Sequence, residues 1–412
     1  MPFTSLGLDA ALARAAADKG YTAPTPIQAA AIPPILQGRD LLGAAQTGSG
    51  KTAAFCLPLL QRCAGEPIGR QRRLRALVLV PTRELAAQVG ESMRSLAQHL
   101  PAPIKIAVAF GGVSINPQMM ALRGGADIMV ATPGRLLDLV GHRALTLSSV
   151  EALVLDEADR LFDLGFAEEL GRLLALLPPR RQNLLFSATF PPAIQSLADS
   201  LLRDPVRLDV LSEPGEEPAI LQRAIEVDAE RRTQLLRHLL AQESWARVLV
   251  FVATKHAAEI VADKLRKAGV HAEPFHGVLS QGKRTQVLAD FKTSRVQVVV
   301  ATDLAARGID VVQLPAVVNY DLPRSAVDYL HRIGRTGRAG ESGVAVSFVS
   351  AATDAHFRLI EKRQGLSVPR EQVAGFEPVE TVAPPGGPAN GGIKGKRPSK
   401  KDKLRAAAKA SS

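Results

Sequence analysis

Short apolar runs alternate with helix-type patterns along most of the chain. The runs lie at 40–45, 74–80, 104–110, 127–131, 152–156 and 182–188 in the first half, and at 247–253, 271–275, 296–301, 316–320 and 343–350 in the second. They are apolar almost throughout instead of alternating, which is typical of strands buried on both faces of a parallel sheet. The pattern therefore predicts an α/β fold in which helices flank mostly parallel sheets.

The two sets of runs predict two α/β domains in tandem. Between them lies a segment rich in Pro, Gly and Glu, 212–218, which is typical of a linker. The predicted boundaries are 1–211 for the first domain, 212–220 for the linker and 221–378 for the second domain. Residues 379–412 turn to Pro, Gly and Lys, so they are expected to form a disordered low-complexity tail.

Most of the excess positive charge lies in this tail. The whole chain carries a formal charge of +11, and residues 381–412 hold eight Lys and Arg against one Asp, which accounts for +7 of it. The tail is either a solvated segment or an arm that binds phosphates without reading sequence, because each cation that neutralises a phosphate releases a counterion. Aromatic residues are few, with 13 Phe, 3 Tyr and 1 Trp, which favours gripping a nucleic-acid backbone over stacking on bases.

Several classes of protein are disfavoured by composition. No apolar run approaches the length of a membrane-spanning helix, and the N-terminus does not resemble a secretory signal. The two cysteines, Cys56 and Cys63, form no CxxC or Cys/His cluster, so neither a disulfide framework nor a zinc site is expected. These features predict a cytoplasmic protein that does not associate with membranes.

A phosphate-binding loop is predicted between the first apolar run and a helical pattern. The segment is Ala45-Gln46-Thr47-Gly48-Ser49-Gly50-Lys51-Thr52, which fits GxxxxGK[ST] except that Ala45 replaces the first glycine. Gly48 and Gly50 would let backbone N–H groups close around phosphate oxygens at the start of a helix. Lys51 would contact the β- and γ-phosphates, and Thr52 would bind Mg²⁺.

The second half of the predicted phosphate site follows the run at 152–156. This strand delivers Asp156 to the sheet edge, where it can hold Mg²⁺ through water, and Glu157 can orient and deprotonate an attacking water. The chain lacks the NKxD motif of guanine-binding proteins and the LSGGQ motif of transporters. Hydrolysis of a nucleoside triphosphate is therefore the predicted chemistry, and these two competing classes are disfavoured.

With these residues in place, the chain resembles the DEAD-box family of RNA helicases, to which Asp156-Glu157-Ala158-Asp159 gives its name. The resemblance covers roughly residues 3–375 and is greatest to the bacterial RhlE-like subgroup, judged by the segments at 3–8, 276–281 and 375–378. It implies two tandem RecA-like domains, ATP and Mg²⁺ as cofactors, and RNA as the partner. The subgroup suggests work in ribosome assembly or RNA turnover.

The resemblance also implies roles for individual residues. Tyr21 would stack on adenine, Gln28 would read its edge, and Asp310 would lie near the ribose. The remaining ATP contacts would be Thr47, Gly48, Ser49, Gly50, Lys51 and Thr52. The implied RNA contacts are Pro81, Thr82, Arg83, Gly111, Gly112, Thr132, Pro133, Gly134 and Arg135 in the first domain, and Thr254, Arg284 and Thr302 in the second.

Further residues would connect hydrolysis to movement of the two domains. They are Asp159, Ser187, Thr189, His331 and Arg332, with Ser187-Ala188-Thr189 expected to bond Asp159. Arg335 and Arg338 would reach the γ-phosphate held by the other domain. Because Arg332, Arg335 and Arg338 recur at spacing three, two or three of them are predicted to share one face of a helix.

Two alternatives to duplex unwinding stay open at this point. A DNA helicase or translocase could use the same two-domain plan, and an ATP-gated RNA clamp could remodel particles with little strand separation. The expected partner is RNA, single-stranded or in short duplexes and largely independent of sequence. Ribosomal precursor particles and RNA-decay proteins are further expected partners of a chain that is predicted to be monomeric.

Overall fold

The structure is a computed structural model that describes residues 2–44, 49–65, 72–209, 220–306, 314–337 and 342–380. The chain forms two α/β lobes, one on each side of the linker. Among the described residues, each lobe has one seven-stranded sheet, and every strand pair in both sheets is parallel. The predicted α/β fold with two tandem domains is confirmed.

The sheet of lobe one has the strand order β3-β4-β2-β5-β6-β1-β7. Its strands are β1 (Leu41–Ala44), β2 (Ala76–Leu79), β3 (Ile106–Ala109), β4 (Ile128–Ala131), β5 (Ala152–Leu155), β6 (Gln182–Ser187) and β7 (Val206–Asp209). The helices around it are α1 (Ala10–Asp18), α2 (Pro26–Leu36), α3 (Lys51–Ala64), α4 (Arg83–Leu96), α5 (Asn116–Ala121), α6 (Pro133–Gly141), α7 (Ala158–Asp163), α8 (Ala167–Leu176) and α9 (Pro192–Leu201).

Two hydrophobic cores explain why the strands read as continuous apolar runs. Along β2, Val78 packs in one core, whereas its neighbours Leu77 and Leu79 pack in the other. Side chains of a strand alternate between the two faces, and here both faces are covered by helices. Each position of these strands is therefore selected for apolar character.

Lobe two repeats this plan with the strand order β10-β11-β9-β12-β13-β8-β14. Its strands are β8 (Ile220–Glu226), β9 (Val248–Val252), β10 (Ala272–Phe275), β11 (Val298–Thr302), β12 (Ala316–Asn319), β13 (Gly343–Val349) and β14 (Arg370–Glu371). Its helices are α10 (Arg232–Glu243), α11 (Lys255–Lys267), α12 (Gln281–Lys292), α13 (Asp303–Ala306), α14 (Ala326–Ile333) and α15 (Asp354–Gln364).

Three strands carry no continuous apolar run and were not predicted. The edge strand β7 alternates half-buried and exposed residues, β8 contains the polar pair Gln222-Arg223, and β14 has only two residues. Ile220, the last residue of the predicted linker, is the first residue of β8, and 212–219 lie outside the described residues. None of the described helices has the length and apolar character needed to cross a membrane.

The start of the predicted tail is fixed to lobe two. The backbone N–H groups of Val379 and Glu380 donate to the carboxylate of Asp228 at 2.9 and 3.1 Å. The ring of Phe376 lies 5.3 Å from that of His238 on α10. Described structure therefore extends at least two residues into the segment predicted to be a tail, and 381–412 lie outside the described residues.

Candidate functional site

The end of the phosphate loop is held in place by the segment that starts α2. Thr25 Oγ1 donates to the carbonyl of Ser49 at 2.9 Å, and Gln28 Nε2 donates to the carbonyl of Gly50 at 3.1 Å. Gly50 is left-handed (φ 97°), and a Cβ atom there would lie 2.5 Å from Gln28 Nε2. Glycine is therefore required at this point, as the motif predicts. Thr47 and Gly48 lie outside the described residues.

Gln28 is buried, and both ends of its amide bind backbone groups. Besides the bond to Gly50, its Oε1 accepts from the N–H of Thr25 at 3.0 Å, which forms a capping box for α2. Each end of an amide can make a second hydrogen bond. The amide of Gln28 would thus bind the edge of adenine, as predicted, while keeping both of these hydrogen bonds. Tyr21, the predicted stacking partner, is half-buried against the core of lobe one.

Lys51 and Asp156 form the charged centre of the site, and both are buried. Asp156 follows β5, and its Oδ1 accepts from the N–H of Glu157 at 3.0 Å. Burial raises the pKa of Asp156 to about 6, against the opposing effect of the Lys51 ammonium. Within this structure the carboxylate is therefore short of compensating positive charge.

Glu157 has an unusual backbone and a single cationic neighbour on its own helix turn. Its φ of 52° and ψ of 53° are left-handed, a conformation that costs an L-residue energy and is concentrated at functional sites. Its Oε2 atom lies 3.1 Å from Nη1 of Arg160, and both side chains are buried. Arg160 was not among the predicted site residues, because the motif does not specify a residue type there.

Asp159 is bonded to the end of β6 as predicted. Its Oδ2 accepts from the N–H of Thr189 at 3.0 Å and from Thr189 Oγ1 at 2.8 Å. Ser187 Oγ accepts from the N–H of Asp159 at 3.2 Å and donates to the carbonyl of Thr189 at 2.7 Å. The predicted contact between the two motifs is confirmed, and its part in coupling stays a prediction.

The charged centre of lobe one has a neighbour on lobe two, the imidazole of His331. Burial is the main reason why the pKa of His331 falls to about 4, and the nearby Arg160 of lobe one lowers it further. Asp159 and Glu157 act on the same imidazole in the opposite direction. His331 therefore lies at the interface between the lobes, within electrostatic range of the carboxylate motif.

Arg332 and Arg335 do not share one helical face, so the three arginines do not all lie on one helix as their spacing allowed. Helix α14 ends at Ile333, which leaves Arg332 inside the helix and Arg335 beyond it. Arg332 is held by Asp303 at 2.6 Å and lies over the ring of Phe251 at 4.8 Å. Arg335 is buried in the turn that follows. Arg338 and Asp310 lie outside the described residues.

The predicted RNA contacts of both lobes lie where strands end and helices begin. Thr82 Oγ1 caps α4 by accepting from the N–H of Leu85 at 3.2 Å, and Thr254 Oγ1 caps α11 by accepting from the N–H of Ala257 at 3.1 Å. Thr132 is also the residue before a helix, α6, but its side chain makes no capping hydrogen bond. Helix N-termini carry unpaired N–H groups and a partial positive charge, so this edge suits phosphates.

The other predicted RNA contacts line the same edge. Arg83 packs against Gly112, which is left-handed (φ 73°) and leaves no space for a Cβ atom beside the guanidinium. Arg135 Nη2 donates to the carbonyl of Val113 at 2.7 Å and so supports the neighbouring loop. The remaining residues of this edge are Pro81, Gly111, Pro133, Gly134 and Thr302.

Arg284 lies in a contact between the lobes. Its Nη2 atom is 2.8 Å from Oε1 of Glu84 on α4, and both side chains are about 95% buried. The guanidinium also lies over the ring of Phe275 at 4.8 Å. This ion pair crosses from lobe two to lobe one, and the RNA contact implied for Arg284 stays a prediction. Glu84 was not predicted as a site residue, because nothing in its local sequence indicates a partner on the other lobe.

Comparisons with known proteins cover nearly all of the described chain. The family model described as DEAD/DEAH box helicase matches residues 25–197, and the helicase conserved C-terminal domain matches 231–340. The Escherichia coli ATP-dependent RNA helicase SrmB is 45% identical over 85% of this chain and 79% of its own length. The Sclerotinia sclerotiorum ATP-dependent rRNA helicase rrp3 is 43% identical over 84% of this chain and 71% of its own.

A solved structure resembles both lobes together. Yeast Dbp5 bound to RNA and ADP BeF3 has a TM-score of 0.79 and 31% identity, covering 90% of this chain and 95% of its own. The agreement extends over both lobes, so it includes their relative placement as well as the fold of each. The arrangement of the lobes here is thus similar to that of a protein with RNA and nucleotide bound.

Proposed function

The chain belongs to the DEAD/DEAH box family and is an ATP-dependent RNA helicase, and we propose that RNA switches on its ATP hydrolysis by bringing the two lobes together. The observation that carries the proposal is the position of lobe two at the carboxylate motif. His331 lies near Glu157, Asp159 and Arg160 of lobe one. The hydrolytic centre is therefore complete only when the lobes meet.

Lobe one holds the nucleotide in this proposal. Ser49, Gly50 and Lys51 hold the phosphates at the start of α3, together with Thr47 and Gly48 of the same loop. Tyr21 and Gln28 select adenine, and Gln28 also fixes the loop through Gly50. Glu157 positions and deprotonates the attacking water, so it is the general base.

Thr52 and Asp156 fit a magnesium ion that accompanies ATP. Hydroxyl and carboxylate oxygens are the ligands that Mg²⁺ prefers, and it usually keeps several waters beside them. The raised pKa of Asp156 shows a buried carboxylate that a divalent cation would stabilise in its charged form. When bound, the ion supplies positive charge to the phosphate oxygens.

Lobe two supplies the remaining positive charge at the γ-phosphate through Arg335 and Arg338. Arg332 instead holds its own lobe together through Asp303, and His331 faces the Glu157–Asp159 turn. The bonds from Asp159 to Thr189 connect this turn to the end of β6. Movement of lobe two is thereby linked to the base and to the RNA edge of lobe one.

RNA binds across both lobes at the edge formed by the helix N-termini. Because these contacts use backbone N–H groups and threonine caps, they recognise phosphates and carry little sequence information. Closure around a strand that spans both lobes would bend it and separate a short duplex locally. By linkage, RNA and ATP then strengthen each other's binding.

Two assays test this function directly. Displacement of one strand from a short RNA duplex, dependent on ATP, is expected for a helicase, whereas an ATP-gated clamp would bind RNA tightly without displacement. ATP hydrolysis should be stimulated by RNA more than by DNA of the same sequence. If residues 1–211 alone hydrolyse ATP as fast as the full chain with RNA, the proposed division of the site between the lobes is wrong.

The buried Glu84–Arg284 pair should favour the closed state. Opening the lobes exposes both groups to water, so removing one partner destabilises only the closed state, where the other charge stays buried. Removal of one partner of a fully buried ion pair costs about 3–5 kcal/mol. Arg284→Gln should therefore weaken RNA binding in the presence of a non-hydrolysable ATP analogue, measured by fluorescence anisotropy.

The matched control reverses the pair. Glu84→Arg combined with Arg284→Glu should recover much of the affinity that each single change removes. Hydrolysis without RNA should be nearly unchanged in all variants, because neither residue touches the nucleotide. If the reversed pair binds RNA no better than the single variants, direct contact with RNA would explain the role of Arg284.

The basic tail is proposed to act as a sequence-independent RNA anchor. Removing 381–412 takes away +7 of charge and should weaken RNA binding. The plot of log affinity against log salt should become flatter by about 0.7–0.9 for each phosphate that the tail no longer neutralises. An unchanged slope would make the tail a spacer or a site for protein partners.

We place the work of this helicase in ribosome assembly or RNA turnover, with precursor ribosomal particles or RNA-decay proteins as partners. Support comes from the resemblance to the RhlE-like subgroup and from the relative named as an rRNA helicase. Crosslinking of RNA to the protein in its native cell, followed by sequencing, tests this. Enrichment of ribosomal precursors or of decay intermediates would distinguish the two processes.

A further inference from the structure

A groove of about 1180 Å³ lies at the edge of the lobe-one sheet opposite to the nucleotide site. Its walls are formed by the segments that lead into β2, β3, β4, β5 and β6, which is the amino edge of the parallel sheet. The phosphate loop and Glu157 follow the carboxyl ends of β1 and β5. Since a four-residue strand is about 13 Å long, a ligand in this groove lies apart from the hydrolytic centre.

Four arginines form a row along this groove. Arg123, Arg73, Arg143 and Arg180 come from the connections before β4, β2, β5 and β6. These strands are neighbours in that order, so the row follows the sheet with one arginine per strand. With strands about 4.8 Å apart, the four strands that these connections precede span on the order of 14 Å. The order of the four arginines along the sheet differs from their order along the chain, so the row cannot be recognised from the sequence.

These four arginines have no counter-charge among the residues that the structure describes. All four are exposed, and no hydrogen bond or ion pair joins their guanidinium groups to a described residue. The acidic residues of the described groove lining, Asp127 and Glu151, are already paired. Asp127 binds Arg72 and accepts from the N–H of Lys105, and Glu151 lies 3.3 Å from Arg75.

The composition of the groove favours a linear polyanion as its ligand. A guanidinium group presents a fork of N–H donors that matches phosphate, and Thr146, Ser148 and Ser149 add hydroxyl groups beside the row. No aromatic side chain belongs to the described lining, whereas the central part of a protein interface is usually rich in aromatic residues. A phosphate backbone fits this surface better than a protein partner does.

We propose that the arginine row binds the phosphate backbone of an RNA segment that flanks the strand held between the lobes. This rests on the proposed function only in taking RNA as the ligand. A second binding site for the same RNA molecule raises the effective concentration of that RNA at the cleft between the lobes. The row would therefore favour structured or extended RNA over short single strands and hold the helicase on its target between cycles of hydrolysis.

A purely structural role for the row makes a different prediction. Helices α3, α5, α6 and α8 end at this edge, and cations near helix C-termini stabilise helices. Arg143, however, follows the C-cap residue of α6 and is left-handed (φ 55°), a conformation that glycine adopts more easily. Replacing Arg143 by Gly should therefore not lower the melting temperature, although it removes a charge from the row.

The test uses the full chain with Arg73→Gln, Arg123→Gln, Arg143→Gly and Arg180→Gln combined. The probes are a short single-stranded RNA that fills only the cleft, and the same strand extended by a hairpin. Affinity for the extended RNA should fall about tenfold or more at low salt, and its salt dependence should flatten by about 0.7–0.9 for each phosphate that the row no longer neutralises. Affinity for the short strand and its stimulation of ATP hydrolysis should be unchanged.

A matched control removes the same charge elsewhere. Arg14, Arg207, Arg237 and Arg363 are also exposed, have no partner among the described residues and do not line the groove. If changing all four to Gln weakens binding of the extended RNA equally, net charge and not the row is responsible. The proposal is also overturned if the groove variant binds extended RNA normally, shows only a lower melting temperature, or is impaired in binding polyglutamate but not RNA.

These outcomes are separate from a failure of the proposed function. Binding of the extended RNA can be measured without nucleotide, so the row is tested even if RNA does not stimulate hydrolysis. Conversely, normal stimulation of the groove variant by the short strand leaves the division of the site between the lobes intact. The arginine row and the proposed function are therefore tested by different measurements.

Discussion

Glu157→Gln is expected to lower ATP turnover by about 10²–10⁴-fold while ATP and RNA binding stay near normal. The carboxylate is buried and lies beside the phosphate loop, where it can accept a proton from water. Glutamine keeps the size of the side chain and can still accept a hydrogen bond from Arg160, so the left-handed turn should persist. What it loses is the ability to act as a base.

Single-turnover hydrolysis with saturating RNA measures this effect, with binding measured separately by anisotropy. Glu168→Gln is the matched control, because Glu168 is an exposed carboxylate on α8 of the same lobe, outside the site. Its turnover should equal that of the unchanged protein. Turnover of Glu157→Gln within a few-fold of normal would assign the base to another group.

The sequence was sufficient to predict most of the described strands. Runs such as 74–80 and 296–301 are apolar because helices cover both faces of those strands. Strands β7 and β8 carry exposed and half-buried residues, so neither forms a continuous apolar run and both were missed. The phosphate loop and the carboxylate motif were predictable as well, because each is a local segment whose chemistry depends on neighbours in sequence.

Contacts between distant segments could not be predicted from the sequence in the same way. Glu84 and Arg284 are 200 positions apart, and their pairing depends on how the lobes meet. The arginine row depends on a strand order that brings the segments before β4 and β2 side by side. The spacing of three did not reveal that Arg332 and Arg335 are separated by a helix end, because α14 stops at Ile333.

Removal of the Arg335 guanidinium should be as damaging as loss of the base, although for a different reason. An arginine that reaches the transferred phosphate can contribute about 10³–10⁵ in turnover, because its charge is placed before the reaction begins. Here the backbone of Arg335 is fixed: its carbonyl accepts from the N–H of Leu314 at 3.1 Å. The adjacent Thr336 is fully buried and its hydroxyl binds the carbonyl of the same leucine. A fixed backbone position lets the charge of Arg335 be held in place before the reaction begins, as preorganised electrostatic stabilisation requires.

Arg335→Ala should therefore lower turnover at saturating ATP and RNA much more than it weakens ATP binding. Arg335→Lys keeps the charge but not the planar fork, so it should recover only part of the activity. Arg338→Ala should show the same pattern if both arginines serve the γ-phosphate. Because Arg335 is buried, melting temperatures are needed to show that lobe two stays folded. If ATP affinity falls while turnover at saturation is normal, Arg335 binds the ground state and the charge that completes hydrolysis comes from elsewhere in the closed protein.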